Sequence, residues 1–430
     1  MATSQMIPRD MIPMDMKMAW RNVWRNPRRT WLTISAIAFA CTILIFMLSF
    51  QFGSYGTMIN ASVQINTGHL QIQAKDYFED RAMRRVVPDP HRVIKTVGGI
   101  ESVAAVTARA KAFSLISSGN RTYGAMVIGI DPENEARVST LDSLVREGEF
   151  LAGTAAGENR SGENRALIGR LMAENLQAGL GDELVLLGQG RDGSVAATIL
   201  KVGGIYESGM DEFDRRTLHM PLDTFQEVYS MRGAVHEIVV RVSSLDRVAG
   251  VKTAAAEKLE HIPGGGDLAV LDWDQLMPGL TQAIKIDLTI GIIFWFLLVL
   301  VVAFSILNTF LMAVLERTRE FGVMMAIGTG PGRLVKLMLY ESGAMTAVGI
   351  ALGIFTGCIF TAIFQVYGID FSGASEILSQ YGISGRIHPR LSLVTAFAGP
   401  LLVFGVTFAV SLYPALKIKK LKPVEAMAHV

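Results

Sequence analysis

Four stretches of this chain carry no Asp, Glu, Lys or Arg at all: Trp31 to Phe52, Leu288 to Leu315, Ser342 to Ile369 and Leu391 to Leu416. A helix rises 1.5 Å per residue, and the hydrocarbon core of a bilayer is ~30 Å thick, so about 20 apolar residues are enough to cross it. Each run reaches that length. Buried helices of water-soluble proteins rarely go so far without a charge. The expected fold is therefore a polytopic α-helical membrane protein with four transmembrane (TM) helices. The first run begins only at Trp31 and exceeds the ~7–15 apolar residues of a secretory signal. No small-x-small cleavage site follows it promptly, so it reads as a retained anchor.

Lys and Arg flanking the runs set an orientation, because cytoplasmic loops collect them. Lys17, Arg21, Arg25, Arg28 and Arg29 precede the first run. Arg317, Arg319, Arg333 and Lys336 lie between the second and third, and Lys417, Lys419, Lys420 and Lys422 follow the fourth. The loop between the third and fourth runs has only Arg386 and Arg390. The reading is a cytoplasmic or interfacial amphipathic N-terminal helix at 1–30, TM1 at 31–52, and a large α+β extracytoplasmic domain at 53–285. TM2 at 286–315, a cytoplasmic loop at 316–336 and TM3 at 337–369 come next. A short outer loop at 370–390, TM4 at 391–416 and a cytoplasmic tail at 417–430 complete it. The 53–285 segment is net acidic and the remainder net basic, as expected of a translocated domain on a cationic base.

Composition narrows the function. Only 18% of residues are charged, against roughly a quarter in ordinary soluble domains. With 40 Lys+Arg against 39 Asp+Glu, the clustered basic excess that nucleic acid requires is missing. A chain that is 50% hydrophobic is not disordered. Cys41 and Cys358 both sit in apolar runs, which leaves no disulfide framework and no cysteine zinc site.

Within 53–285, alternating apolar residues predict strands at His69–Gln73, Lys111–Ser117, Tyr123–Ile130, Glu183–Leu187, Ala196–Ile205, Glu237–Val242 and Leu268–Leu271. Ser118-Gly119-Asn120-Arg121 reads as a hairpin turn. Helical spacing covers Arg170–Leu180 and Leu245–His261. Gly264-Gly265-Gly266 reads as a flexible joint, and 152–165 as a mobile polar loop. Chemistry is sparse. The seven histidines form no His-x-x-x-His pair, and no Gly-x-Ser-x-Gly elbow occurs. Asp211, Glu212 and Asp214 read as a solvated turn rather than a metal site. No catalytic, cofactor-binding or metal-ligating residue is assigned, and the domain is expected to bind or transmit force.

Motifs gather at the membrane's inner face. Met16, Trp20 and Trp24 recur every four residues, as do Lys17, Arg21 and Arg25, which puts an aromatic face beside a cationic one in the lipid interface. After Glu316, Arg317, Arg319 and Glu320 comes an apolar segment, Phe321 to Ile327, stopped by Gly328. Such a segment exposed on a loop either fills a partner's groove or packs on its own helices. Asn308 is expected to hydrogen-bond a neighbouring helix, and Gly349, Gly353 and Gly357 form a stripe for close helix contact. Glu341 is expected to open the third span.

These motifs together resemble the FtsX-like permease family of ABC transporters, which includes macrolide-exporter and lipoprotein-releasing permeases. The resemblance rests first on Arg21-Asn22-x-x-Arg25-Asn26 with Arg28-Arg29-Thr30, on Asn308-Thr309, and on Glu316-Arg317-x-Arg319-Glu320-Phe321-Gly322 with Ala326-Ile327-Gly328. Pro414-Ala415 and Pro423-Val424-Glu425-Ala426 follow. Gly129-Ile130-Asp131-Pro132, Ala166-Leu167-Ile168-Gly169, Gly181-Asp182 and Val202-x-Gly204-Ile205 resemble that family's MacB-like periplasmic core. Gly68-His69-Leu70-Gln71-Ile72 and the domain size look most like the lipoprotein-releasing members.

The resemblance implies that Glu316 to Gly328 is a coupling segment docked on a separate ABC ATPase. The 430 residues hold no Gly-x-x-x-x-Gly-Lys-Ser/Thr phosphate loop, so ATP and magnesium are expected in two copies of that partner and no cofactor in this chain. It further implies a second permease copy or paralogue, a lipoprotein cargo with a periplasmic carrier or an adaptor, and no nucleic acid. Ile292, Phe294, Trp295 and Phe296 are the expected lipid or substrate contact. Two rival functions stand beside lipoprotein release. One is a tripartite efflux system for drugs, peptides or toxins; the other is signalling to cell-wall hydrolases, disfavoured by the large outer domain.

Overall fold

The computed structural model describes residues 14–151, 164–370 and 386–419. Outside them lie the start of the N-terminal segment, nearly all of the polar loop at 152–165, most of the 370–390 loop, and Lys420, Lys422 and the Pro423-Val424-Glu425-Ala426 motif. The chain divides into a helical unit (Met1–Tyr55, Ile284–Asp370 and Ile387–Val430) and a sheet unit (Gly56–Ala283 with Phe371–Arg386).

Among the described residues, four helices are long and apolar enough to cross a membrane: Pro27–Thr67 (span 1), Pro278–Glu316 (span 2), Pro331–Tyr367 (span 3) and Leu393–Ile418 (span 4). Three of them start on a proline, whose fixed φ suits the first helical turn and whose missing N–H costs nothing there. The fourth starts with a capping box between Ser392 and Thr395. The helices outrun the charge-free stretches, because a hydrogen-bonded helix continues through flanking charges such as Arg28, Arg29 and Asp287 that end a hydropathy run. Glu341 is one result. Instead of opening span 3, it lies buried well inside a helix that begins at Pro331.

Each span buries one face. Ile34, Ile37, Cys41, Leu44, Ile45 and Leu48 of span 1 are inside, as are Val299, Ala303, Ile306, Phe310 and Ala313 of span 2. The outer faces carry large exposed apolar side chains, among them Phe296, Val301, Phe304, Phe355 and Leu401. The glycine stripe of span 3 meets span 1. A Cβ on Gly353 would sit 2.5 Å from the Cβ of Cys41 and 2.8 Å from the Ala38 carbonyl, and one on Gly349 would sit 2.8 Å from Ile37. Beside them the hydroxyls of Thr42 and Thr356 are 2.7 Å apart.

The sheet unit is built on strands β1 (Leu70–Ala74), β2 (Val103–Ser118), β3 (Arg121–Ile130), β4 (Val145–Gly148), β5 (Arg165–Gly169), β6 (Glu183–Gln189), β7 (Val195–Tyr206), β8 (Thr217–Pro221), β9 (Glu237–Val242) and β10 (Leu268–Asp272). They form one sheet in the order β10-β1-β9-β2-β3-β8-β5-β7-β4, with β6 bridging β2 and β7. Most pairs are antiparallel, but β3–β8 and β5–β7 are parallel. Helices Pro90–Gly98 and Val248–Glu260 contribute Val93, Val97, Val251, Ala255 and Leu259 to a core with Leu70, Ile72, Ile238 and Val240. Helices Arg170–Leu176 and Leu222–Val228 build a second core around Ile116, Val127, Leu186 and Leu200.

Two expectations for this unit are corrected. Gly264–Gly266 is a tight turn leading into β10 rather than a flexible joint. Gly264 takes φ +76°, and a Cβ on Gly265 would overlap the Leu259 carbonyl. Asp211, Glu212 and Asp214 lie in the first turn of a helix, Asp211–Arg216, where Asp211 and Glu212 are solvated as expected and only Asp214 departs from that reading. Asp214 is buried and accepts hydrogen bonds from the backbone N–H of Ser208 at 3.0 Å and from its hydroxyl. Burial raises its carboxyl above the usual range. Among the described residues no cluster of His, Cys, Asp and Glu has the makings of a metal site.

Candidate functional site

The arginine-rich ends of the spans hold most of the residues singled out from the sequence. The N-terminal helix, Met14–Val23, buries Ala19 and Val23, four residues apart on one face. Asp15 pairs with Arg333 of span 3 at 2.8 Å. Trp20 and Trp24 stay about half exposed, and Trp24 meets both Trp20 and Trp31 edge to face with centroids 6.0 Å apart. Arg21 is exposed beside Trp20. Arg25 does something the cationic stripe did not suggest: both its terminal nitrogens reach Glu320, at 2.7 and 3.0 Å.

Span 2 ends at Glu316, which accepts from Arg29 at 3.0 Å. Arg317 breaks the helix, and a short helix, Thr318–Ala326, follows; it holds the expected coupling segment and is labelled the coupling helix for that expectation. The Thr318 hydroxyl donates to the Val314 carbonyl at 2.9 Å, closing the break from the far side. Arg317 donates to Glu320 at 3.4 Å and to Glu341 at 2.9 Å, with its guanidinium 5.4 Å from the Phe321 ring centroid. The arginine pairs hold the Glu320 carboxyl below the usual range, with Arg25 the larger cause. Four segments are thus joined through one network: the turn before span 1, the end of span 2, the coupling helix and span 3. An ion-paired network of this kind is worth more than its isolated surface pairs.

The coupling helix has two faces. Thr318, Phe321 and Gly322 are buried, while Arg319, Val323, Ala326, Ile327 and Gly328 face out. Ile327 is 78% exposed, so much of the apolar segment does not pack on its own helices. Gly328 adopts φ +102°, a conformation open to glycine, and lets the Gly328 and Thr329 N–H groups close the helix on the Met325 and Met324 carbonyls.

One other expectation comes out differently. Asn308 is exposed on span 2, and its side chain has no hydrogen bond among the described residues. The buried face of span 2 runs through Ile306 and Phe310, and Asn308 lies off it. Of the residues expected to touch lipid or substrate, Phe294 and Trp295 line a cavity of about 620 Å³ between spans 1 and 2, whereas Ile292 and Phe296 are exposed away from it. That cavity also holds a polar cluster sequence reasoning missed. Asp287 accepts from the Tyr55 hydroxyl at 2.7 Å and the Gln51 amide at 3.0 Å. The available signal was Asp287 itself, which stood as the border of an apolar run.

The sheet unit's buried polar groups serve its frame. Arg109 forks onto Glu135 at 2.6 and 3.0 Å and also reaches the Asn66 carbonyl. His236 stacks on Tyr77, accepts from the Lys111 N–H at 2.9 Å and bonds the Met83 carbonyl. No nucleophile–base pair emerges from these contacts.

Residues 30–258 match the family described as MacB-like periplasmic core domain, and residues 292–423 match the FtsX-like permease C-terminal family. The lipoprotein-releasing system transmembrane protein LolC of Xylella fastidiosa is 22% identical over 413 residues, covering 92% of this chain and 93% of that one. The macrolide export ATP-binding/permease protein MacB of Escherichia coli is 22% identical over 419 residues, covering 96% of this chain and 60% of that one. Among solved structures, the periplasmic region of MacB from Actinobacillus actinomycetemcomitans covers 52% of this chain and 94% of that chain at 16% identity, with a TM-score of 0.37. The first family alone takes in more than half of the chain and the second follows it in order, so the chain belongs to the FtsX-like permeases with a MacB-like periplasmic core domain.

Proposed function

We propose that this chain is the permease subunit of an inner-membrane ABC complex that releases lipoproteins, driven by a separate ATPase. The observation that carries the reading is the coupling helix. It offers Val323, Ala326 and Ile327 to a partner, while it is tied through Glu320 to Arg25 before span 1, and its leading Arg317 is tied to Glu341 of span 3. In this reading both termini and the coupling loop are cytoplasmic and the sheet unit, between spans 1 and 2, is periplasmic. Two ATPase copies hold the nucleotide and magnesium, and a second permease copy or paralogue completes the complex.

Nucleotide-driven closure of the ATPases pushes on the exposed face of the coupling helix. The ion pairs hand that push to the base of spans 1, 2 and 3. Withdrawing an acyl chain from the bilayer costs ~0.8 kcal/mol per CH₂, so the work needs an external fuel. The cavity bounded by Phe294 and Trp295, with Asp287 at its polar end, suits the emerging chain before a periplasmic carrier receives it. Efflux of a drug or peptide through an adaptor is the second reading, favoured by the likeness to a macrolide exporter over 96% of this chain.

The test is release from proteoliposomes containing the full chain and its co-purifying ATPase. Acylated cargo is expected to leave the membrane in an ATP-dependent way, and Ile327→Asp to uncouple hydrolysis from release. Release that persists after the acyl chains are removed points to efflux. A chain that never co-purifies with an ATPase overturns the reading altogether.

A further inference from the structure

Among the described residues lining the cavity of about 620 Å³ between spans 1 and 2, Asp287 is the single charged one. Its carboxylate accepts from the Tyr55 hydroxyl at 2.7 Å and the Gln51 amide at 3.0 Å, both on one oxygen, Oδ2. Among the described residues Oδ1 takes no hydrogen bond and no cation pairs with the group. Lys285, two residues earlier, leaves from a different face of the helix. Gln51 is 22 residues beyond Arg29 on span 1, about 33 Å along the helix and close to the ~30 Å of a hydrocarbon core. With Arg29 at the headgroups of one leaflet, Asp287 therefore stands at those of the other. Toward the middle of the bilayer the cavity is apolar, walled by Leu44 and Met47 of span 1 and by Phe294, Leu298 and Val301 of span 2. From Asp287 to Val301 span 2 advances about 21 Å, against ~15 Å for one leaflet's share of the core. An acyl chain of that leaflet lies inside at full length.

We propose that this cavity holds one phospholipid with a primary-ammonium headgroup, of the ethanolamine kind, from the leaflet opposite the arginine-rich ends of the spans. The ammonium donates to Asp287, and an acyl chain runs past Phe294 toward Val301. Charge complementarity selects this occupant. A primary ammonium brings both a positive charge and an N–H, and makes a short charge-assisted bond with the free carboxylate oxygen. A choline headgroup brings the charge without the N–H. A glycerol headgroup leaves the phosphate's negative charge uncompensated beside Asp287. A carboxylate at the membrane boundary is tolerated with water or a partner, and the ammonium is a partner that the bilayer itself supplies. The inference rests on the four helices crossing a bilayer and not on what the complex moves; where the transport reading holds, arriving cargo displaces this lipid.

The experiment equilibrates the purified full chain with equal amounts of phosphatidylethanolamine, phosphatidylcholine and phosphatidylglycerol of identical acyl chains, and counts retained lipids by native mass spectrometry. Phosphatidylethanolamine is expected to be retained about ten-fold over either of the others, the low end for a hydrogen bond to a charged group. Asp287→Asn keeps an acceptor for Tyr55 and Gln51 while removing the charge. It is expected to bring phosphatidylethanolamine down to the level of phosphatidylcholine, whose own retention stays unchanged. Gly291→Leu supplies the second arm by filling the cavity. A Cβ there first meets the end of the Gln51 side chain, at 2.7 Å, which swings aside, and leucine is a better helix former than glycine, so the variant folds. It is expected to lose the retained lipid. Equal retention of the three lipids by the unaltered chain, or an intact preference in either variant, overturns the proposal. Neither result touches the transport reading, because no ATPase or cargo enters the measurement.

Discussion

In the sheet unit, charge goes inside; in the helical unit, it stays at the ends of the spans. Arg109 and Glu135 are 3% and 1% exposed in the sheet unit's interior, and Lys111 and Glu237 pair nearby at 2.7 Å. In the helical unit, the pairs Arg25–Glu320, Arg29–Glu316, Arg317–Glu341 and Asp15–Arg333 cluster at the arginine-rich ends of the spans. Between those ends and the opposite ends, several hydroxyls bond their own helix, such as Thr42 to the Ala38 carbonyl and Thr346 to the Ser342 carbonyl. The difference follows from the solvent. The sheet unit gains free energy by withdrawing apolar surface from water, and that gain carries an occasional buried ion pair. Helices in lipid gain little by hiding apolar surface from an apolar solvent, so close packing must hold them together. A charge there is tolerated only where water or a partner is near.

Cutting the sheet unit's buried pair attacks this contrast hardest. Glu135→Ala leaves the Arg109 guanidinium buried without its counter-charge and is expected to cost about 3–5 kcal/mol. Urea titration of the full chain, with proteolysis mapping which unit opens first, reads it. A loss below 1 kcal/mol breaks the contrast.

Close packing in the helical unit is tested at the glycine stripe. Gly353→Leu must push span 3 away from Cys41 and Ala38, an overpacking expected to cost about 1–3 kcal/mol. Thermal unfolding in detergent measures it, and Gly332→Leu, where a Cβ meets nothing within 4 Å, is the control expected to be neutral.

Acid sharpens the comparison. Burial holds His69 and His236 down at about 4 and His219 at about 3, from the usual 6.5. The unfolded chain therefore takes up protons that the folded sheet unit refuses. Stability from these three is complete above pH 6.5 and falls as the pH drops toward 4 and then 3. The slope approaches ~1.4 kcal/mol per pH unit for each histidine. Urea midpoints between pH 7 and pH 4 are expected to fall for the sheet unit and hold for the helical unit.

The smallest expected change in stability is at the pair on which the proposed coupling rests. Arg25 and Glu320 are largely exposed, so Arg25→Ala should cost only about 0.2–1 kcal/mol. Glu320→Arg is expected to uncouple hydrolysis from release with little change in melting temperature, and Arg25→Glu in the same chain to restore coupling. No rescue in the double variant would remove this ion pair from the mechanism.

The legible parts of the fold are those with a local signature. Charge-free length marked the helices, and alternation marked β3, β6, β7 and β9. Strands β5 and β8 escaped because Ala166-Leu167-Ile168-Gly169 and Thr217-Leu218-His219-Met220 are buried on both faces and show no alternation. In the candidate site, residue types and spacing singled out Glu316 to Gly328 and the two tryptophans. They did not reveal that Arg25 answers Glu320 from 295 residues away, or that Asp287, Tyr55 and Gln51 meet.

What the amino-acid order determined alone was where helices form, which loops carry arginine, and where glycine permits a close approach. These depend on residues within a turn or two of each other, and on a solvent indifferent to the rest of the chain. Tertiary structure decided which arginine finds which glutamate, that Asn308 faces outward, and that Asp287 borders an apolar cavity. A helix fixes only the angle between its own side chains; what each meets depends on how neighbouring helices are rotated, and that is settled by packing over the whole bundle.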